Sequence, residues 1–107
     1  MTPEGKVKKA VKTVLAMFGE DIDGFWPVPN GIGESHLDYV GCCRGWFFSV
    51  ETKAPGKKPT PRQVFRIGTV HKAGGKAFVI DGTAKTDTIE DLAEWLISRE
   101  RKDENSD

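Results

Sequence analysis

The sequence predicts a small α/β domain, in which a mixed β-sheet of three or four strands is flanked by helices. Three observations carry that expectation. Apolar residues recur at helical spacing in three separate stretches. The runs "LDYVGCC" and "WFFSVETK" read as a hairpin joined by Arg44-Gly45, and the apolar run "KAFVID" follows the second helical stretch. The order helix, strands, helix, strand, helix is that of a sheet covered by helices. The link from "WFFSVETK" to "KAFVID" is long enough for a right-handed parallel crossover. At 107 residues the chain is the size of one domain, expected over 1–98, with a charged, frayed tail over 99–107.

The first helix is signalled by Thr2 as a cap, Pro3 at the first helical position and Glu4 near the positive end. Val7, Ala10, Val11, Val14, Leu15 and Phe18 form its inner stripe, and Gly19 ends it. "FWPVPNGIGESH" reads as irregular, an extended segment followed by an exposed loop. "APGKKP" is a second loop. Thr60 and Pro61 then start a helix that runs to about Ala73, with Val64, Ile67 and Val70 or His71 inward, and Gly74-Gly75 stops it. "KAFVID" is continuous in its apolar content and is expected to be central in the sheet. Thr88 with Asp91 resembles a capping box, and Ile89, Leu92, Ala93, Leu96 and Ile97 face inward on the last helix.

Lys plus Arg and Asp plus Glu number 16 each, so a globally basic nucleic-acid binder is not indicated. The charge is nevertheless uneven. Lys6, Lys8, Lys9 and Lys12 cluster early, and Lys57, Lys58, Arg62 and Arg66 cluster centrally. Cys42 and Cys43 are neighbours on a strand and point to opposite faces, so they neither share a metal nor form an ordinary disulfide. With no disulfide framework, no signal peptide and no membrane span, a cytoplasmic protein is expected.

Strand alternation places Trp46, Phe48, Val50 and Thr52 on one face, and Phe47, Ser49, Glu51 and Lys53 on the other. Asp38, on the preceding strand, can join Glu51 across the hairpin. Two carboxylates beside an ammonium are costly to bury unless a divalent cation offsets their repulsion. Carboxylates and a backbone carbonyl are hard donors suited to Mg²⁺ or Mn²⁺. The ordinary alternative is a solvated ion pair on an exposed strand, and spacing alone favours it.

The order Asp38, Glu51-Thr52-Lys53, Gln63 resembles the PD-(D/E)xK nuclease superfamily. The string "FFSVETKAPGKKPTPRQ" with "AGGKAFVIDG" after it resembles the VRR-NUC family within it, over nearly the whole chain. The resemblance implies a restriction-endonuclease-like core that hydrolyses DNA phosphodiesters with Mg²⁺ or Mn²⁺. It implies an endonuclease similar to Holliday-junction resolvases, acting as a homodimer on branched or four-way DNA. Asp38 and Glu51 would be metal ligands with the backbone carbonyl of Thr52, and Glu4 would be a further acid from the first helix. Lys53 would be the catalytic lysine, and Gln63 would steady the site. The family's Gly-x-Pro-Asp turn is replaced here by "GIGESHLD", so Glu34 or His36 can substitute or add a contact.

Lys57, Lys58, Arg62 and Arg66 flank this site at a helix start, an arrangement suited to DNA phosphates as well as to a solvated loop. His71 reads as structural. "NGIGES" lacks the strand and helix of a dinucleotide fingerprint, and "APGKKPT" lacks phosphate-loop spacing. Trp26 and Trp46 are core or, if exposed, stacking residues, and Trp95 reads as core. The alternatives to an endonuclease are a non-catalytic DNA-binding or assembly module on the same fold, and a structural domain whose Glu-x-Lys is a surface pair.

Overall fold

A computed structural model describes residues 1–28 and 34–102. In chain order the elements are α1 (Pro3–Ala16), a 3₁₀ turn (Gly19–Asp21), β1 (Ile22–Phe25), β2 (Tyr39–Cys43), β3 (Trp46–Thr52), α2 (Pro61–Lys72), β4 (Lys76–Ile80) and α3 (Ile89–Ser98). The sheet order is β1-β2-β3-β4, antiparallel except for the parallel β3–β4 pair that the α2 crossover joins. The expected loop across 29–33 and the end of the tail, 103–107, lie outside the described residues. Among the described residues, no helix is long and apolar enough to cross a membrane.

Helices cover both faces of the sheet. On one face α1 contributes Val7, Val11, Val14 and Leu15, and α3 contributes Leu92 and Leu96, against Tyr39, Phe48, Val50, Phe78 and Ile80. On the other, Val70 and Ile67 of α2 meet Leu37 and Ala77. Cys43 is buried and Cys42 exposed, as strand alternation requires. Each cap acts as read: Thr2 accepts from the Gly5 N–H, and Thr60 and Thr88 each close a capping box.

Arg44 and Gly45 make the hairpin turn with φ of 50° and 93°, the left-handed pair that matches strand twist. Arg44 also donates to the carbonyls of Leu96 and Arg99, capping the C-terminal end of α3, and pairs with Asp21. The expected domain end at Ser98 coincides with the end of α3. The first residues of the expected tail are held rather than frayed. The Arg99 guanidinium lies over the rings of Trp46 and Trp95, the Lys102 ammonium over Trp46, and the Trp46 indole N–H donates to the Glu100 carbonyl.

Four expectations need correction. The segment read as irregular contains strand β1. Asp23 and Gly24 hide it, being poor strand formers, but Gly24 has a packing reason: a Cβ there would collide with the Tyr39 hydroxyl and the Val40 carbonyl. "KAFVID" is an edge strand, not a central one. The Lys53 N–H donates to the Ile80 carbonyl, so even-numbered residues of β4 face β3 and odd-numbered ones face outward. Those outward N–H groups, of Ala77, Val79 and Asp81, are capped by His71 Nε2, Asp87 Oδ2 and Thr86 Oγ1. Side chains thus do for this edge what another strand would. Val64 and Ile97 are 56% and 68% exposed rather than inward, because Val64 lies about 120° around α2 from buried Val70 and Ile97 about 100° around α3 from buried Leu96.

Ser49 is fully buried on β3, and its hydroxyl has no hydrogen-bond partner among the described residues. An unsatisfied buried hydroxyl is destabilising. Ser49→Ala is therefore expected to raise the urea midpoint, by up to about 1 kcal/mol of stability, without changing the slope of the transition.

Candidate active site

The β2–β3 register pairs Tyr39 with Val50, which sets Asp38 beside Glu51 one step further along. The Asp38 N–H donates to Glu51 Oε1 at 3.2 Å. The Asp38 carboxylate reaches across the end of β3, where Oδ2 accepts from the Thr52 N–H at 2.9 Å and from the Thr52 hydroxyl at 2.7 Å. The sequence reading gave Thr52 a role only through its carbonyl. Its N–H and side chain also fix the orientation of Asp38.

Gln63 arrives from α2 in a defined orientation. Its Oε1 accepts the Thr60 N–H at 2.9 Å in the capping box, so the other end of the amide, Nε2, is left to donate to Glu51 Oε2 at 2.8 Å. Lys53 Nζ lies 3.6 Å from the same Oε2, with its side chain 15% exposed. Asp38, Glu51, Thr52, Lys53 and Gln63 thus converge at the C-terminal end of β3.

Glu51 is 2% exposed, so the pair with Lys53 is not a solvated surface bridge. Burial first, and the Asp38 carboxylate second, push the Glu51 carboxyl up to about 7 from its ordinary 4.5. Lys53 and the Asp38 N–H act in the opposite direction but do not outweigh burial. Two adjacent carboxylates, one held up to neutrality, mark a place short of positive charge. The donors are hard oxygens, and two carboxylates with water are a sufficient protein contribution for Mg²⁺. In donor chemistry, Asp38 and Glu51 are of the kind a divalent cation takes.

The remaining expected site residues are elsewhere. Glu4 is exposed in the first turn of α1, and no group of three His, Cys, Asp or Glu side chains able to hold a metal forms among the described residues. Glu34 is exposed and pairs with Arg66 at 3.2 Å, and Arg66 also donates to the Ser35 carbonyl. His36 Nδ1 accepts the Leu37 N–H, and its ring meets Phe47 edge-on. Burial and then Arg66 lower the His36 pKa below its ordinary 6.5. Neither Glu34 nor His36 touches Glu51. Lys57, Lys58 and Arg62 are exposed and form no ion pair among the described residues.

Asp81 is the residue that sequence reasoning missed. It directly follows β4, one step beyond the Thr52–Ile80 pair, and is 3% exposed. Its carboxylate accepts the Gly56 N–H, the N–H and hydroxyl of Thr83, and the Thr86 hydroxyl. It therefore fastens the loop 54–59, which follows Lys53, to the end of β4. A surface groove of ≈ 580 Å³ lies on the far side of β4, lined by Phe78, Trp95, Asp87, Asp91 and Glu94 among others. Its acids suit it poorly to an anion.

No protein-family model matches the chain, and neither a curated protein nor a solved structure shows significant similarity to it.

Proposed function

We propose that this protein is a divalent-metal-dependent endodeoxyribonuclease with a restriction-endonuclease-like core of the VRR-NUC type. The observation that carries the reading is the convergence of Asp38, buried Glu51, Lys53 and an oriented Gln63 on one point of the sheet. Asp38 and Glu51, with the Thr52 carbonyl, would hold Mg²⁺ or Mn²⁺. Bound there, the ion would lower the pKa of a water and polarise the phosphoryl oxygen. The Lys53 ammonium holds the attacking water or stabilises the charge that builds on the phosphorane. Gln63 and the Asp38 N–H keep Glu51 in place, and Thr52 does the same for Asp38. On this reading the protein is a cytoplasmic homodimer acting on branched or four-way DNA. A two-fold pair would present two sites to a symmetric junction.

The test is a cleavage panel of single-stranded, duplex, flap and four-way DNA with Mg²⁺ or Mn²⁺. Expected are cleavage of branched substrates, its loss in EDTA, and a fall of about 10²-fold in Lys53→Ala, the usual value of one oriented charge donor, with an unchanged circular dichroism spectrum. Undiminished activity in EDTA or in Lys53→Ala would overturn the proposal. The absence of a third acid beside Asp38 and Glu51 among the described residues favours the second reading, a non-catalytic DNA-binding module. That reading is met by DNA binding with no Mn²⁺ uptake in a calorimetric titration.

A further inference from the structure

The outer face of α2 is unusual for a small domain. Val64 and Phe65 are adjacent and are 56% and 70% exposed. Gly68 lies one turn on, beside both of them on the helix surface, and a Cβ there would meet nothing within 4 Å among the described residues. A mid-helix glycine costs about 1 kcal/mol relative to alanine, and here no packing among the described residues explains it. The three residues form a shallow notch with two apolar walls and a bare backbone floor.

Within α2 the charge beside the notch is of one sign, and the neighbouring acid Glu34 is paired with Arg66. α2, "PRQVFRIGTVHK", contains no acid. Arg62 precedes the notch and Lys72 follows it, and Lys57 and Lys58 extend the basic run on the approach loop. The acids Glu90, Asp91 and Glu94 are gathered on α3, and α3 packs on the opposite face of the sheet. A second copy of α2 crossing antiparallel at Gly68 would gather Arg62 and Lys72 of both copies at one interface with no acid from either helix, like charge near like. A polyanion that carries flat apolar groups satisfies both the notch and its rim.

We infer that the notch of Val64, Phe65 and Gly68 stacks an unpaired base of the DNA strand whose backbone runs along Lys57, Lys58 and Arg62, so that α2 selects substrates with single-stranded nucleotides beside the cut. The inference rests on the nuclease reading and gives it a substrate feature. Phe65 lies across α2 from Gln63, about 10 Å away, which is the diameter of a helix and about three base steps along a duplex. It is a specificity residue and not part of the hydrolytic machinery.

The test uses the full chain carrying Lys53→Ala, so that DNA is bound without being cut. Affinities are measured by anisotropy for a blunt hairpin and for the same hairpin with a tail containing 2-aminopurine. Expected is tighter binding of the tailed DNA with a quenched 2-aminopurine signal. Adding Phe65→Ala should weaken tailed binding by roughly 5- to 100-fold, the worth of one stacked base, and leave the blunt hairpin unchanged. Gly68→Val should do the same by filling the notch, and Phe65→Trp should retain binding. Equal affinities before and after Phe65→Ala, in a protein that still binds DNA, would overturn this inference alone. A dimer that Phe65→Ala turns into a monomer would make the notch a self-interface and would also overturn it. Failure of the parent to bind either DNA would remove the nuclease reading together with it.

Discussion

Glu51→Gln is expected to reduce cleavage to background and, in metal-free buffer at pH 8, to make the protein more stable. Both effects have one cause. Burial and Asp38 raise the Glu51 carboxyl from 4.5 to about 7, so between those values the folded chain holds a proton that the unfolded chain has released. Stability from this group is complete below 4.5 and is lost as pH rises through 7. Glutamine carries no charge and does not lose it. Against this, glutamine turns an amide donor towards the Asp38 N–H or the Gln63 amide, at a cost of about 1 kcal/mol. The net gain at pH 8 is on the order of 1–2 kcal/mol. Urea midpoints followed from pH 5 to 8 should fall for the wild type relative to the variant, since the depressed His36 contributes equally to both. Parallel curves would show that Glu51 is not held as described. Added Mg²⁺ should raise the wild-type midpoint at pH 8 and leave the variant unmoved, because an ion that binds only the folded state stabilises it by mass action. On the proposed function Glu51 is a direct ligand, and its loss should weaken metal binding by at least about 10²-fold, the upper range for an outer-shell partner.

A site that is less stable ionised than neutral explains which parts of it were legible in the sequence. Period-two alternation along "FFSVETK" put Glu51 and Lys53 on one face, and the length of the Arg44-Gly45 turn then fixed Asp38 opposite Glu51. Thr60 and Gln63 sit at capping-box spacing, and that spacing orients the Gln63 amide as well as starting the helix. Three features had no such signal. β1 is held by backbone pairing to one neighbour and by Tyr39 lying over Gly24, and neither leaves an alternating pattern. β4 resembles a central strand because α2 and α3 bury its two faces, while His71, Thr86 and Asp87 cap its free edge from a distance in sequence. Asp81 resembles a solubilising acid at a strand end. Its partners lie both 25 residues earlier, at Gly56, and just after it, at Thr83 and Thr86.

That contrast makes Asp81 the second large test. Oδ1 accepts three bonds, from the Thr83 N–H at 2.8 Å and from the Thr83 and Thr86 hydroxyls at 2.7 and 2.9 Å, and Oδ2 accepts one, from the Gly56 N–H at 3.1 Å. The Thr83 hydroxyl leads the causes that hold the carboxyl down at about 2. Asp81→Ala removes the acceptor of all four bonds, although the Thr86 hydroxyl also reaches the Asp87 carbonyl, and should cost roughly 2–4 kcal/mol, a large part of the stability of a domain this size. Asp81→Asn separates the two halves of the clamp. An amide that keeps its oxygen towards Thr83 and Thr86 turns its NH₂ on the Gly56 N–H and releases only the loop 54–59. The asparagine variant should therefore lose less stability than alanine, yet show faster amide exchange at Gly56 and faster tryptic cleavage after Lys57. Unchanged exchange at Gly56 would mean that the loop is held by something else. The pH dependence runs opposite to that of Glu51. A depressed carboxyl stabilises above its unfolded value of 3.8, and the contribution is lost as pH falls towards about 2. Wild type should thus lose stability on both sides of a maximum between 4 and 5. Glu51→Gln should remove the alkaline slope and Asp81→Ala the acid one, so the two carboxylates at the ends of adjacent strands can be told apart by titration alone.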